Sequence, residues 1–358
     1  MKFIVTAGGQ GTKLWPLSRN SIPKQFQPIT GTTSTFAQNI EVLLTKYAPS
    51  DIFISTKRKY VKHVLEQAPQ ISFNNLIIEP DYEKSRGPGE GYAFLKLSLI
   101  APDEILMLIQ SDVIRLPQES FLTYVEEIEK IVKTEKKFVT GGKKAIKPEM
   151  GADYLKLGKL VKTLKDVDFY ECESFVPRLN EYKATEQLIN DFHVVLHVNH
   201  LACYPNMILD AYKKFRPDWY EALMRIKDVI GDENEESKTN EIYETMEAGS
   251  TEEVTVNLLN KENFIIALTN FVWTDFGTWG SVQDFAQSLG TKRKKTIILD
   301  SEDSFGKARD GKLVVIYGVD DVVVIDTDDA LLVIHKEKTG KVGEILKEIK
   351  KKGLDSFL

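Results

Sequence analysis

Cysteine is nearly absent from this 358-residue chain: Cys172 and Cys203 are the whole supply. Two thiols are too few for a disulfide framework, so the core must hold itself together without covalent staples, as is usual in a reducing, cytoplasmic compartment. Long apolar runs are missing as well. The opening Met1-Lys2-Phe3-Ile4-Val5 meets glycines too soon for a signal peptide, and Leu97 to Ile109 is interrupted by Pro102, Asp103 and Glu104, so no membrane span is expected. Nor is there an excess of positive charge; a formal net charge of -6 argues against a general nucleic-acid binder. Proline and glycine, 13 and 22 residues, are scattered without a repeat or low-complexity tract.

What remains is an ordinary globular composition, 42% hydrophobic and 28% charged, on a chain long enough for about two domains. From Met1 to about Gln287, short apolar runs alternate with amphipathic stretches: FIV, then Phe36 to Tyr47, DIFI, Tyr60 to Gln67, and LII. This alternation predicts repeated βα units on a doubly wound, mainly parallel sheet. Further strands are expected at Ile105 to Ile109, Phe138 to Thr140, Val194 to Val198 and Phe264 to Trp273. The acidic run Gly231 to Ser237 reads as a solvated loop, and the basic run Lys292 to Lys295 as an exposed linker. Domains over 1–290 and 291–358 follow. The second contains short β-rich pieces, TIIL, KLVVIYG, DVVVIDT and ALLVIHK, between Asp/Gly turns, and closes on a helix whose Val342, Ile345, Leu346 and Ile349 share a face.

The segment Val5 to Phe26 carries the densest chemistry. A strand leading into Gly8, Gly9 and Gly11 exposes backbone N–H groups to an anion with no side chains in the way. Neither P-loop nor dinucleotide-fingerprint spacing is present, which disfavours a nicotinamide dehydrogenase. Lys13 and Lys24 could neutralise a polyphosphate from two sides, and Pro23 restricts the backbone before Lys24. Asp112 and Asp275 each follow an apolar strand, placing hard carboxylate oxygens at the sheet edge where Mg²⁺ and phosphate oxygens would meet. His193, His197, His200 and Cys203 have zinc-like spacing on a helix. The intervening Val194-Val195-Leu196 and Val198 favour a strand instead, on which His200 faces away from the other two histidines. Trp15, Trp273 and Trp279 read as packing residues.

Taken together, GGQGTKLWPLSR followed by PKQF resembles the signature of sugar-1-phosphate nucleotidyltransferases, most of all the mannose-1-phosphate guanylyltransferase branch. The resemblance continues through Glu79-Pro80, Arg86-Gly87-Pro88, Gln110-Ser111-Asp112, Lys147-Pro148-Glu149 and Trp273 to Trp279. It reaches the family's C-terminal β-rich, β-helix-like extension at Val315 to Val333. It implies a Rossmann-like nucleotidyltransferase fold and Mg²⁺-dependent transfer from a nucleoside triphosphate, GTP, to a sugar-1-phosphate, mannose-1-phosphate, with a homodimer through the C-terminal unit. Carried over by position, Ala7, Gly8, Gly9, Gly11, Thr12, Glu79, Pro88 and Gly89 meet the nucleotide. Lys13, Lys24, Asp112 and Asp275 are catalytic, with both aspartates on the metal, and Gly151, Arg178 and Asn199 meet the sugar phosphate. In 358 residues there is no room for the family's cupin-like isomerase domain.

The departures fall mostly on the sugar side. Lys13 stands where the family has arginine, and the stretch ending at Gly87-Pro88-Gly89 is about one residue longer than the family's. Met150-Gly151-Ala152-Asp153-Tyr154 replaces Thr-Gly-Tyr-Gly-Tyr, Pro177-Arg178-Leu179 replaces Glu-Lys-Pro, and His197-Val198-Asn199-His200 replaces Trp-Asn-Ser-Gly. Glu252 or Glu253 is available for the family's later acidic sugar contact. Two alternatives stay open: a different sugar phosphate, or a non-catalytic nucleotide-binding or regulatory subunit of the same fold.

Overall fold

The computed structural model describes residues 1–149, 152–179, 181–289, 295–309 and 312–358. Gly151 and most of the basic run at 292–295 therefore lie outside the described residues.

The chain begins with β1 (Lys2–Thr6), α1 (Thr35–Leu44), β2 (Ile52–Lys57), α2 (Val61–Gln67), β3 (Leu76–Glu79), α3 (Arg86–Ile100) and β4 (Leu106–Gln110). These strands pair in parallel in the order β3-β2-β1-β4. Both faces are buried because apolar residues occupy both parities of the strands. Phe3, Val5, Met107 and Ile109 pack under α1 with Phe36 and Ile40, while Ile4, Leu106 and Leu108 pack against Phe94 and Leu97 of α3. Winding runs outward from β1 to β3 and then returns across β1 to β4. The crevice between the carboxyl ends of β1 and β4 is thus the switch point at which open α/β sheets bind ligands.

Beyond β4 the chain forms β5 (Val113–Leu116), α4 (Gln118–Glu135), β6 (Phe138–Lys144), β7 (Tyr154–Leu164), β8 (Val167–Val176), β9 (Val194–His197), β10 (Ala202–Cys203), β11 (Phe264–Leu268) and β12 (Val272–Asp275). Among the described residues the main sheet has ten strands, with β8, β9 and β10 reversed, so it is mixed at one end. The apolar stretch expected as one strand from Phe264 to Trp273 is two. β11 joins the main sheet, whereas β12 leaves it and pairs with β5 in a separate antiparallel ribbon, Val113 opposite Asp275 and Arg115 opposite Trp273. The acidic run expected as a loop also contains the start of a helix, Glu235–Glu244. Its first glutamates are held by Lys96 and Arg58, at 2.6 Å and 2.7 Å, and acidic residues suit a helix N-terminus.

The C-terminal unit pairs Thr296–Leu299 with Val314–Tyr317, and Phe305–Lys307 with Val322–Asp326, both in parallel, before Leu331–His335 returns antiparallel. The closing helix, Val342–Lys351, turns Val342, Ile345, Leu346 and Ile349 inward. They share a cluster with Leu14, Trp15, Phe276 and Trp279. Burial of each such side chain is worth roughly 1.5–3 kcal/mol, so the small unit is docked directly beneath the chain segment that follows the glycine loop. The Trp15 indole donates to the Phe357 carbonyl at 2.7 Å, and Lys307 donates to the carbonyls of Pro28 and Ile29 at 2.8 Å and 3.0 Å. Among the described residues no helix is long and apolar enough to cross a membrane.

Candidate active site

A cleft of about 1560 Å³ opens at the switch point. Of the residues singled out in the sequence, Gly8, Gly9, Lys13, Glu79, Gly89, Asp112, Asp275, Arg178 and Asn199 line it.

Two ladders bring the aspartates together. Asp112 follows β4 and precedes β5, and the β5–β12 register sets Asp275 opposite Val113. Lys24 stands between them: its Nζ lies 2.9 Å from Asp112 Oδ2 and 3.0 Å from Asp275 Oδ1, and donates at 3.0 Å to the Phe276 carbonyl. All three ammonium protons thus have acceptors. Burial opposes the charge on Lys24, which is 8% exposed, but the two carboxylates outweigh it and raise its pKa above the usual lysine value. Burial likewise opposes ionisation of Asp112, yet Lys24 holds its carboxyl below the ordinary range. Asp275 is raised, by burial first and by the Asp112 charge second. One ammonium cannot fully serve both carboxylates, and this asymmetry is the physical result.

The glycine loop is shaped by contacts that its local sequence does not announce. A Cβ on Gly8 would lie 2.4 Å from Glu79 Oε1, and one on Gly89 would lie 3.2 Å from Glu79 Oε2. The Glu79 carboxyl is therefore lodged between the loop and the first turn of α3, where Ser55 donates to it at 3.2 Å. Burial raises its pKa against the pull of Lys57 and Ser55. Gly11 has φ 57, and a Cβ there would meet the Lys24 backbone nitrogen at 2.7 Å. Its glycine character lets the Lys24 segment close on the loop. Gln25 completes this support: its amide donates to the carbonyls of Ala7 and Gly9 at 3.2 Å and 2.9 Å.

Several expected contacts are placed differently. Ala7 is buried in the core, Pro88 is buried inside α3, and neither they nor Gly11 and Thr12 line the cleft. Ala7 and Gly11 act through backbone geometry, Thr12 opens the short helical turn Thr12–Leu14, and Pro88 packs the helix start. Lys13 is exposed on the cleft wall with no side-chain hydrogen bond or ion pair among the described residues, and its charge is felt at Asp275.

On the sugar side, two departures from the family pattern turn out to be partners. Arg178 donates from Nε and Nη2 to the Asp153 carboxylate at 3.1 Å and 2.8 Å, a bidentate pair, and the Arg178 backbone N–H adds a third bond at 2.9 Å. Glu252, not Glu253, faces the cleft, 3.2 Å from Arg86 Nη1, while Glu253 pairs with Arg216. Asn199 lines the cleft with φ 52. The zinc alternative finds no support: His197 lies 2.9 Å from the Thr140 hydroxyl, His200 faces Arg115, and Cys203 is buried in β10. No cluster of metal-ligating side chains with three members occurs among the described residues. Burial pushes the His197 imidazole down to about 4, so it is neutral at physiological pH.

Arg115 went unnoticed in the sequence. It is 5% exposed, close under Asp112, and without a carboxylate in ion-pair contact among the described residues. A charge inside the apolar run Val113-Ile114-Arg115-Leu116 was the available signal.

Residues 2–149 match the family model described as Nucleotidyl transferase, and residues 294–349 match the MannoseP isomerase/GMP-like beta-helix domain. Among curated relatives, a mannose-1-phosphate guanylyltransferase of Escherichia coli is 26% identical over 362 residues, covering 97% of this chain and 75% of that protein. The alginate biosynthesis protein AlgA of Pseudomonas aeruginosa is 23% identical over 354 residues, covering 98% and 72%. In three dimensions the chain superposes on a Thermus thermophilus structure described as a mannose-1-phosphate geranyltransferase, with TM-score 0.80, 21% identity, and coverage of 98% of this chain and 99% of that one. With the switch-point cleft and the C-terminal parallel rungs already described, these matches give the chain a Nucleotidyl transferase segment over residues 2–149 and make it similar along nearly its whole length to mannose-1-phosphate guanylyltransferases.

Proposed function

We propose that this protein transfers a nucleotidyl group from GTP to mannose-1-phosphate with the help of Mg²⁺, releasing pyrophosphate. The observation that carries the reading is the Asp112–Lys24–Asp275 arrangement at the switch point, beside a glycine loop backed by Gln25. The residues suit the metal. Mg²⁺ is commonly held by one or two carboxylates plus substrate phosphate oxygens, and here two carboxylates flank a gap that already accommodates a cationic group. When bound, the ion would neutralise phosphate charge during the transfer.

The protein's own residues have a positioning task. A sugar-phosphate oxygen attacks the α-phosphorus, an O–P bond forms, and the bond to the β-phosphate oxygen breaks with pyrophosphate departing. The attacking phosphate is largely dianionic near neutrality, its second pKa being about 6, so no side chain has to remove a proton. The work lies in holding two anions in line and countering their charge. Lys13 and Lys24 supply positive charge, the glycine loop supplies backbone donors, and Arg178 and Asn199 form the wall for the second substrate. Guanine is assigned by similarity to the relatives alone. Two buried, unpaired thiols support a reducing compartment. Exposed Ile297, Leu299, Val315 and Tyr317 on the C-terminal unit support a second copy packing there.

One observation favours a different sugar phosphate: Asp153 neutralises the arginine expected to meet the sugar phosphate. Pyrophosphate release across a panel of nucleoside triphosphates and hexose-1-phosphates, with products weighed by mass spectrometry, decides. A GDP-mannose product is expected, another pair would redefine the specificity, and silence with nucleotide still bound would refute catalysis.

A further inference from the structure

A buried guanidinium with no carboxylate partner costs several kcal/mol in desolvation unless something offsets it. Arg115 is such a group, with no carboxylate in ion-pair contact among the described residues; burial lowers its pKa to about 9 against the opposing pull of the nearby Asp112 charge, and its donors are met by neutral acceptors. Nη1 donates to Asn39 Oδ1 and, at 3.3 Å, to the Gln110 carbonyl, and Nη2 reaches Gln110 Oε1 at 3.4 Å. Nε and Nη2 both point at His200 Nε2, each at 3.1 Å. The Phe121 ring lies 4.9 Å from the guanidinium carbon. Since both donors share Nε2, that nitrogen is the acceptor and the ring proton sits on Nδ1.

The acceptors are not scattered. Asn39, which Arg115 holds, donates through Nδ2 to the carbonyls of Ser111 and Val113 at 3.4 Å and 2.9 Å, the two residues flanking Asp112. On the other side, His200 immediately follows Asn199, and Gln110 donates from Nε2 to the carbonyl of Val198 at 3.2 Å, the residue immediately before it. One buried cation therefore grips both neighbours of Asp112, through Asn39, and both neighbours of Asn199, through His200 and Gln110. Asp112 belongs to the nucleotide half of the cleft and Asn199 to the sugar half.

We propose that Arg115 is a positioning residue that locks the Asp112 turn to the Asn199 turn and so sets the spacing between the two halves of the cleft. This rests on the two-substrate reading above. An in-line transfer is sensitive to such spacing, since a displacement of about 1 Å can cost on the order of 100-fold in rate. Binding of either substrate alone needs only its own half.

The test compares Arg115→Met, Arg115→Lys and the unaltered protein. Hydrogen–deuterium exchange is read in peptides covering 110–113 and 198–202, together with GTP binding, mannose-1-phosphate binding and turnover. In Arg115→Met both turns lose protection together, each substrate's Kd stays within about threefold, and kcat falls on the order of 10- to 100-fold. Arg115→Lys keeps the charge but not the fork, so it restores thermal stability and leaves kcat at least about 10-fold down. If Arg115→Met does not fold, Arg115→Lys is read alone by the same criteria. Native protection in either turn, or wild-type kcat in a folded variant, overturns the lock. Should the unaltered protein turn over nothing across the panel, the functional reading fails, while coupled loss of protection in the two turns still decides the lock.

Discussion

Replacing Lys24 by methionine removes the one ammonium that separates Asp112 from Asp275 while keeping most of the side-chain volume. At about 3 Å and an effective dielectric near 20, each contact is worth roughly 5 kcal/mol gross. Several kcal/mol of that are already spent on burying the ammonium. The carboxylates are 31% and 45% exposed, so water screens what is left. A net loss of about 3 kcal/mol at pH 7.5 is expected, near the lower end for breaking a buried pair. For a chain of this length that is about 4 °C in Tm. The pH dependence has a definite sign. Without Lys24 both carboxyl pKa values rise above their unfolded values, so the folded state binds more protons and its stability falls as pH rises through the shifted range. The deficit relative to wild type should therefore shrink on acidification toward pH 5, as one carboxyl takes up a proton. Added Mg²⁺ should raise the Tm of Lys24→Met more than that of wild type, because the ion replaces the missing charge. Thermal unfolding followed by circular dichroism between pH 5 and 8 measures all of this. A variant as stable as wild type at pH 7.5, with no pH-dependent difference, would refute the counter-ion argument.

The loop and the sugar side give further tests. Gly8→Ala drives a methyl into the Glu79 carboxyl, so nucleotide affinity should fall about 10-fold or more by calorimetry, with the sugar-phosphate Kd unchanged; an unaltered nucleotide Kd would remove this contact from the nucleotide site. Asp153→Ala releases Arg178 from its bidentate partner, and the freed charge should lower the sugar-phosphate KM by roughly 3- to 10-fold with kcat little changed. A raised KM would instead make Asp153 an organiser of the site.

How far the sequence carried this picture follows contact by contact. The glycines, Lys24, Asp112 and Asp275 were legible because each sits at a strand end or in a turn, where residue type and local pattern limit the options. Their meeting point was not, because it depends on the β5–β12 ribbon, and the sequence ran β12 together with β11 as one strand. The short connection from Thr269 to Phe271 that separates them, bent at Phe271, carries neither glycine nor proline. Asp153 and Arg178 were each recognised as departures, yet their pairing spans 25 residues across the β7–β8 hairpin and has no local signature. Glu79 was expected to meet the nucleotide; its wedge between Gly8 and Gly89 is a tertiary fact that three separate glycine and acid positions cannot announce. Of the reversed strands only β9 was expected, at Val194 to Val198, and its direction was hidden because alternation identifies a strand but not its direction; β8 and β10 were not anticipated as strands.

The bond from the Trp15 indole to the Phe357 carbonyl joins residues 342 positions apart. Arg19, four residues further along, bonds the same carbonyl and also reaches Asp329, at 2.6 Å. During synthesis the glycine loop emerges early, but the partners that brace its exit emerge late, so the loop must wait for them in a loosely held form. A purification tag fused after Leu358 would pull on this brace directly, at the far end of the chain from the residues whose order it would disturb.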